Sequence, residues 1–331
     1  MVGESELPKR PAFSELPLHE GDPPYSSWGL WGDKDELGSI NLITSKVTRE
    51  AIKEAQLGIT IPLDLPLDAI AKPLIPSRIA YHHNLIAKGF ANDDEIHMNT
   101  QSTSQWDSMR HFPYQDGYRY YNGTTMDDIA GSVEKGIKAN NRNGIQNIAK
   151  KGIATRGVLI DWCSYAKRKG IKFSAFDRYE IPLQDIIDIA KESNIVFRPG
   201  DILILRTGLT EQYTKLTYDE KIALTQRGKN SFIGIACGKE TAQWFWSQAF
   251  AAVATDTLSF EAWPRQNSDS WTWLLHEIFL AGWGMPIGEL WDLELLAAKC
   301  EEVGRWSFLL TSQPLIIDGG VASPPNAMAI L

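Results

Sequence analysis

The segment NTQSTSQWDSMRHF, residues 99–112, holds the residues whose types and spacing are best suited to chemistry. Gln101, Gln105, Asp107 and His111 follow the pattern Q-x-x-x-Q-x-D-x-x-x-H. With histidine in place of each glutamine, this spacing would be a strong candidate metal site. A glutamine amide instead offers a neutral carbonyl oxygen and an NH₂ donor. The segment therefore predicts either a weakened metal site or a polar pocket built on amide donors.

A second group of candidates lies in WTWLLHEIFLAGWGMPIGELWDLELL, residues 271–296. His276 sits there in an apolar, helix-like run, and Glu289 follows a turn rich in glycine and proline. A carboxylate among such apolar neighbours has to be paired, hydrogen-bonded or protonated, because an isolated buried charge is unfavourable. Glu289 is equally compatible with a solvated position at the start of a helix. Glu277 and Glu294 are predicted to be solvated helix charges.

The composition is that of an ordinary globular protein and argues against several classes of partner. The 331 residues are 43% hydrophobic and 22% charged, with a formal net charge of −8. A mildly acidic chain argues against nucleic acid and anionic membranes, both of which require a positive surface. The three cysteines form no CxxC pair, which favours reduced thiols in a cytoplasmic protein. We find no signal peptide and no run of 18 apolar residues, so no membrane span is predicted.

Alternating strand and helix patterns predict a single α/β domain. GIATRGVLIDW, GDILILRTG and AAVATDTLSF are predicted to be buried strands, with a helix over LQDIIDIAKESN between the first two. Thr44 or Ser45 is expected to cap a helix that Gly58 ends. The first 27 residues, rich in Pro, Glu and Ser, predict an extended or poorly ordered arm, or a strap over the surface. GxSxG, GxxxxGK[ST] and GxGxxG motifs are absent from the sequence.

Several motifs, in their order along the chain, resemble the cyclase family that includes bacterial kynurenine formamidase and isatin hydrolase. They are WGDKDELGSINLI, QSTSQWDSMRHF, RGVLIDW, GDILILRTG, ATDTLSFEA, the His276–Glu289 pair and ASPPNAMAI. The resemblance covers residues 28–331, which it identifies as the catalytic domain. It implies a compact α/β domain of the swivelling β/β/α type and a homodimer with the site near the subunit interface.

The resemblance also implies a role for each candidate. The family motif is H-x-G-T-H-x-D-x-x-x-H; its two leading histidines and its aspartate bind a divalent metal, a distant histidine and glutamate complete the site, and its last histidine is the acid/base group. The implied metal ligands here are Gln101, Gln105, Asp107, His276 and Glu289, and the implied acid/base group is His111. Because zinc sites use Cys, His and carboxylates almost exclusively, this set favours Mn²⁺ or Mg²⁺ over Zn²⁺, or no ion.

Three functions are open at this stage. The first is a hydrolase of an aryl amide, lactam or lactone, in which His111 activates water and a metal or the glutamine amides polarise the carbonyl. The second is a metal-independent isomerase or cyclase that closes a ring in a phenolic or polyketide-like substrate, with His111 or His276 as base and Gln101 and Gln105 as oxyanion donors. The third is a non-catalytic small-molecule binder. Flat substrates would suit the aromatic residues near the motifs, namely Trp106, Tyr114 and Trp273.

Overall fold

A nine-stranded mixed sheet forms the centre of the computed structural model, which describes residues 7–70, 72–228, 230–266 and 271–331. The strands of the chain are β1 Thr60–Pro62, β2 His82–Ala87, β3 Asn92–His97, β4 Gln105–Asp107, β5 Ile153–Asp161, β6 Glu180–Ile181, β7 Ile202–Arg206, β8 Gly234–Ile235, β9 Ala252–Thr255, β10 Ile287–Glu289, β11 Ser307–Ser312, β12 Ala322–Ser323 and β13 Ala327–Ile330. The helices are α1 Ser45–Ile52, α2 Met126–Ala130, α3 Ile145–Lys151, α4 Trp162–Arg168, α5 Leu183–Glu192, α6 Leu209–Thr214, α7 Tyr218–Gln226, α8 Lys239–Gln248 and α9 Glu294–Val303.

The order of the strands in the sheet is β1-β13-β11-β5-β7-β9-β10-β4-β12. The four central strands β5, β7, β9 and β10 are parallel to one another, and antiparallel strands flank them on both sides. Two further pairs, β2–β3 and β6–β8, lie outside this sheet. The prediction of a single α/β domain is confirmed, and β1, whose sequence contains proline, is an edge strand as expected.

Both faces of the central sheet are buried, which explains why its strands are continuous apolar runs. In β7, Ile202 and Ile204 belong to one hydrophobic cluster, and Leu203 and Leu205 belong to the other. Successive side chains of a strand point to opposite faces, so a strand that separates two cores needs apolar residues at every position. The side chains of the candidate site lie on the face that carries Leu203 and Leu205.

Helix α1 begins as predicted but ends earlier. The Thr44 hydroxyl accepts a hydrogen bond from the Val47 amide at 3.2 Å, so Thr44 is the N-cap. The helix ends at Ile52 instead of continuing to Gly58, because the chain turns to meet the C-terminus, where the amides of Leu57 and Gly58 both donate to the Leu331 carbonyl. None of the helices in the described ranges combines the length and apolarity needed to cross a membrane.

Residues 7–27 lie as a strap against the domain. Phe13 and Leu16 are buried in the larger hydrophobic cluster. The Arg10 guanidinium lies 3.9 Å from the ring centroid of Trp246, whose indole donates to the Pro11 carbonyl at 2.9 Å. The strap therefore supplies both apolar surface and hydrogen-bond acceptors to the core.

Gly38 and Gly284 bring the N-terminal region into close backbone contact with the segment that leads into β10. Gly284 has φ of +60°, and a Cβ built on it would lie 2.7 Å from the Cα of Gly38. The Ser39 amide donates to the Gly284 carbonyl at 3.1 Å. Because the two backbones touch, neither position has room for a side chain.

We expect Gly284→Ala to lower the free energy of unfolding by about 2 kcal/mol more than Gly58→Ala does. Gly58 is the matched control, since its φ of +69° imposes similar backbone strain while nothing lies within 4 Å of an added Cβ. The difference between the two losses measures the free-energy cost of the backbone overlap at Gly284. Its size is that found when extra atoms are forced into a packed core. Urea denaturation of the two variants measures it. Equal losses in both would contradict the close contact.

Candidate active site

Strand pairing brings three of the predicted side chains to one patch of the sheet. In the antiparallel pair of β4 and β10, Gln105 lies opposite Glu289 and Asp107 lies opposite Ile287. Residues two apart in a strand share a face, so Gln105, Asp107 and Glu289 all point to the same side. All three are buried, with Gln105 and Asp107 fully so.

His111 joins this patch through a tight turn immediately after β4. The His111 amide donates to the Ser108 carbonyl at 3.0 Å. The turn places His111 Nε2 3.8 Å from Asp107 Oδ2, with about a fifth of the histidine side chain exposed. The spacing of four residues is thus sufficient here because the segment reverses direction.

His276 lies between two carboxylates. Its Nδ1 is 2.7 Å from Glu261 Oε2, and its Nε2 is 3.2 Å from Glu289 Oε1. The His276 amide also donates to Glu261 Oε1 at 3.1 Å, so Glu261 holds both the ring and the backbone of this residue. His276 immediately precedes the π-helical turn Glu277–Gly282, which fixes the direction of its side chain.

The two glutamine amides hold carboxylates. Gln101 Nε2 donates to Asp107 Oδ1 at 2.8 Å and lies 3.1 Å from His111 Nδ1. Gln105 Nε2 donates to Glu289 Oε2 at 2.8 Å. An ionised carboxylate only accepts hydrogen bonds, so these contacts orient both NH₂ groups inward. In this arrangement the NH₂ groups of Gln101 and Gln105 point to carboxylates, and their role as donors to a substrate oxyanion stays a prediction.

Burial and the neighbouring charges shift the pKa values of the two histidines in opposite directions. Burial opposes a charge on His276, but the adjacent Glu261 and Glu289 raise its pKa well above the ordinary value. For His111, burial and then the positive charge of His276 lower the pKa to about 3. Burial raises the pKa of Asp107 to about 6. At neutral pH the site therefore holds an imidazolium at His276 and an uncharged imidazole at His111.

A cavity of about 110 Å³ opens onto these two histidines. Its walls are mainly apolar and aromatic, and Arg78 is a further charged residue that faces it. The residues that line it are Ile75, Arg78, His111, Phe112, Phe232, Leu258, Ser259, Trp263, His276 and Glu289. Gln101, Gln105 and Asp107 lie behind this lining and act on it through the hydrogen bonds described above.

The donor atoms of the site fit a divalent cation. One ligand atom each from Asp107, His111 and His276 lie within 4.8 Å of one another. Asp107 Oδ2 and Gln105 Oε1 are buried and have no hydrogen-bond partner among the described residues. Imidazole, carboxylate and amide oxygen together suit Mn²⁺, and the amide oxygen makes the set unlike the usual ligands of Zn²⁺. Glu261, bound to the far nitrogen of His276, matches the carboxylates found behind metal-bound histidines.

Two residues of the site were missed by sequence reasoning. Glu261 is fully buried, and the charge and hydrogen bonds of His276 keep its pKa low in spite of that burial. Its position between Phe260 and Ala262 is a usable signal, because a carboxylate in an apolar run needs a buried partner. Arg78 lies in a turn region and carries no comparable signal.

The structure does not bring the three predicted aromatic contacts into the cavity. Trp106 points to the opposite face of β4, where its indole donates to Ser312 Oγ at 2.9 Å. Tyr114 is buried, and its hydroxyl donates to the Pro24 carbonyl at 3.0 Å. Trp273 packs against Tyr25, with ring centroids 5.4 Å apart. These three residues stabilise the fold, and their prediction as substrate contacts is corrected accordingly.

Two glutamates predicted to be solvated are instead held by the fold. Glu277 is 5% exposed and accepts hydrogen bonds from the amides of Gln115 and Leu274. Glu294 is half-buried and pairs with Arg206 at 2.6 Å. Glu289, for which a solvated helix start was an alternative, lies buried in β10.

A sequence profile described as putative cyclase matches residues 31–262, more than half of the chain. The protein belongs to the cyclase family. The matched range contains Gln101, Asp107, His111 and Glu261, whereas His276 and Glu289 lie beyond it. A search of curated proteins finds no match to this cyclase.

Solved structures support the family and the fold. A crystal structure of a novel cyclase shares 31% identity with this cyclase, covering 92% of this chain and 99% of the other, with a TM-score of 0.79. Isatin hydrolase A from Ralstonia solanacearum shares 12% identity over 82% of this chain and 91% of its own, with a TM-score of 0.58. An isatin hydrolase bound to the product analogue thioisatinate shares 11% identity over 87% and 99%, with a TM-score of 0.57. At this identity the two isatin hydrolases show a shared fold alone.

We expect Glu261→Gln to lower the pKa of His276, because the substitution removes the negative charge that raises it most. In the wild-type protein, ¹⁵N NMR of the histidine rings should show His276 as an imidazolium at pH 7. Glu261→Gln should move its titration toward the ordinary value near 6.5. An unchanged His276 titration would contradict the pairing with Glu261.

Proposed function

We propose that this cyclase-family enzyme is a hydrolase that opens a small aryl amide, lactam or lactone. The supporting observation is a pair of carboxylate-backed histidines that face one cavity. The ring centroids of His111 and His276 are 6.3 Å apart at an interplanar angle of 71°. Asp107 stands behind His111, and Glu261 stands behind His276. A base and a positively charged donor on either side of a bound carbonyl are what acyl transfer to water requires.

In this proposal His111 is the base. Its uncharged imidazole takes a proton from water as the water oxygen adds to the carbonyl carbon. The buried carboxylate of Asp107, whose Oδ2 lies 3.8 Å from His111 Nε2, stabilises by its charge the imidazolium that forms. His111 then returns the proton to the leaving nitrogen or oxygen as the C–N or C–O bond breaks. The products are a carboxylic acid and an amine or alcohol, joined in one molecule when the substrate is cyclic.

His276 stabilises the charge that develops on the carbonyl oxygen. It lines the cavity and is held as an imidazolium, so its Nε2 proton is available to an oxyanion in competition with the 3.2 Å contact to Glu289. Glu261 keeps the ring oriented through Nδ1. A divalent ion held by Asp107, Glu289 and the Nε2 of a deprotonated His276 would take the place of the imidazolium and would polarise the same carbonyl as a Lewis acid.

The cavity favours a small, flat substrate. Its volume of about 110 Å³ is well below the roughly 300–1,000 Å³ common for ligand sites. Phe112, Phe232 and Trp263 contribute aromatic surface to its walls. Rings pack favourably in offset or edge-to-face contact with such side chains, which favours an aryl substrate over an open aliphatic one.

Replacement of His111 by alanine should lower kcat/KM by roughly 10²–10⁴-fold, the usual contribution of a general base. The assay is a panel of aryl formamides, lactams and aryl lactones, hydrolysed in H₂¹⁸O with mass analysis of the product. His19→Ala is the matched control, since His19 is exposed and outside the cavity. It should keep full activity.

The same assay distinguishes the alternatives. Incorporation of one ¹⁸O atom into the product identifies hydrolysis. Turnover without incorporation would replace the hydrolase with an isomerase or ring-closing cyclase on the same two histidines. A protein that binds panel members and turns over none of them would be a non-catalytic binder. Activity retained in His111→Ala would remove that residue from the mechanism.

We also propose that the protein is a homodimer and that the hairpin of β2 and β3 lies in the interface. The register places His83 opposite Ile96 and Leu85 opposite Asp94, so these four side chains share one face. Leu85 is 66% exposed and Ile96 is 54% exposed. An isolated two-stranded hairpin is marginal in water, and a second copy would cover this apolar face. His83 and Asp94 contact each other at 2.9 Å beside this face, so the polar groups next to Leu85 and Ile96 are already satisfied within one chain.

The variant Leu85→Glu with Ile96→Glu should shift the protein from dimer to monomer, because two charges would be buried in the interface. Light scattering coupled to size exclusion measures the mass. Leu295→Glu is the control, as Leu295 is similarly exposed on α9, away from the hairpin. A monomeric wild-type protein, or an unchanged mass in the double variant, would contradict the proposal.

A further inference from the structure

Arg78 is a cavity-facing cation without an acidic partner. Its Nη1 donates to the backbone carbonyl of Gln101 at 2.7 Å, which fixes the arm of the side chain. Among the described residues no carboxylate lies within ion-pair distance of its guanidinium. The side chain is half-buried and lines the cavity together with His111 and His276. The remaining guanidinium donors are therefore available to a bound molecule.

The other charged groups at the cavity are committed to one another. His276 is paired with Glu261 and Glu289, and both glutamates accept further hydrogen bonds from the chain. Arg78 takes no part in this network, although its positive charge reaches far enough to counteract the burial that raises the pKa of Glu289. The site is therefore built around a paired imidazolium and a separate, unpaired guanidinium.

The walls beside Arg78 are apolar. Ile75, Phe112, Phe232, Leu258 and Trp263 surround the space that the guanidinium borders. A ring would fill this part of the cavity, and a negatively charged group on the ring would meet the guanidinium. A carboxylate is the group whose planar geometry matches the guanidinium best, because two parallel N–H···O bonds form at once.

We propose that the substrate is a small aromatic compound bearing a carboxylate, and that Arg78 binds that carboxylate. The inference rests on the proposed function in one respect only, which is that this cavity receives the substrate. Arg78 is then a specificity residue that sets the orientation of the ring relative to His111 and His276. Loss of Arg78 should affect KM for a charged substrate far more than it affects kcat.

Repulsion from the acidic residues does not prevent this binding mode. Glu261 and Glu289 share the positive charge of His276. Asp107 is fully buried behind the lining and accepts a hydrogen bond from Gln101. An anion at the Arg78 side of the cavity thus meets the one guanidinium at the cavity that forms no ion pair within the described ranges, while the carboxylates of the site are turned toward the glutamine amides and His276.

The test compares benzoate with benzamide, which share a ring and a planar substituent and differ in charge. Titration calorimetry at pH 7 on the full-length protein gives both affinities for the wild type, Arg78→Gln, Arg78→Lys and Arg168→Gln. Arg168 is the control, because it is an exposed arginine outside the cavity. Benzamide affinity reports whether each variant keeps the shape of the cavity.

Benzoate should bind the wild type and Arg168→Gln about tenfold or more tightly than benzamide, as expected for a charge-assisted pair. Arg78→Gln should lose this preference while still binding benzamide, and Arg78→Lys should keep part of it. Equal affinity for both ligands in the wild type, or a benzoate preference that survives in Arg78→Gln, would overturn the proposal. If only neutral panel substrates are hydrolysed, the proposed hydrolase activity stands and the proposal that the substrate bears a carboxylate is wrong. If benzoate is preferred through Arg78 but no panel compound is turned over, the carboxylate site stands and the proposed hydrolase activity is wrong.

Discussion

The site depends on one buried ion pair, that of His276 with Glu261. Glu261 follows β9, His276 begins the helical run before β10, and Glu289 ends β10, so the charged ring of His276 joins three separate segments. Removal of either partner would leave an uncompensated charge in a dry environment, which is far less favourable than loss of an exposed pair. The ion pair therefore has two effects at once. It fixes the segments around the cavity, and it keeps a positive charge in the wall of the cavity.

The two glutamines extend this arrangement to the neighbouring strand. Their amides compensate Asp107 and Glu289 by hydrogen bonds, as a cation does in many carboxylate clusters, but without adding charge. A buried carboxylate that accepts such hydrogen bonds is held in a fixed position, and its remaining lone pairs stay available to other hydrogen-bond donors. The same amide positions His111, because Gln101 Nε2 contacts both the His111 ring and the Asp107 carboxylate. These hydrogen bonds hold the polar patch together on the face of the sheet that packs in the larger hydrophobic cluster.

Much of the fold follows from the sequence, since burial on both faces leaves a clear pattern. The central strands β5, β7 and β9 and the helix α5 are predicted from apolar runs and helical spacing, and the site segments from the family motifs. The contact of Glu261 with His276 spans 15 residues and depends on how two loops pack, which no local pattern encodes. Trp106 is an instructive error. It lies between Gln105 and Asp107 in one strand, and alternation alone requires it to point away from them.

The N-terminal strap has a consequence for what counts as the folding unit. The carbonyls of Pro11, Pro24 and Tyr25 accept hydrogen bonds from Trp246, Tyr114 and Trp283, all of which are at least 95% buried aromatic residues. A chain that started at Trp28 would keep every residue of the cavity. It would nevertheless lose these three hydrogen bonds, at about 0.5–1.5 kcal/mol each, and the apolar surface that Phe13 and Leu16 bury. Because whole-protein stabilities are only about 5–15 kcal/mol, such losses are a sizeable fraction of the total. The strap, although many of its residues are exposed, is therefore an integral part of the fold despite its loop-like composition.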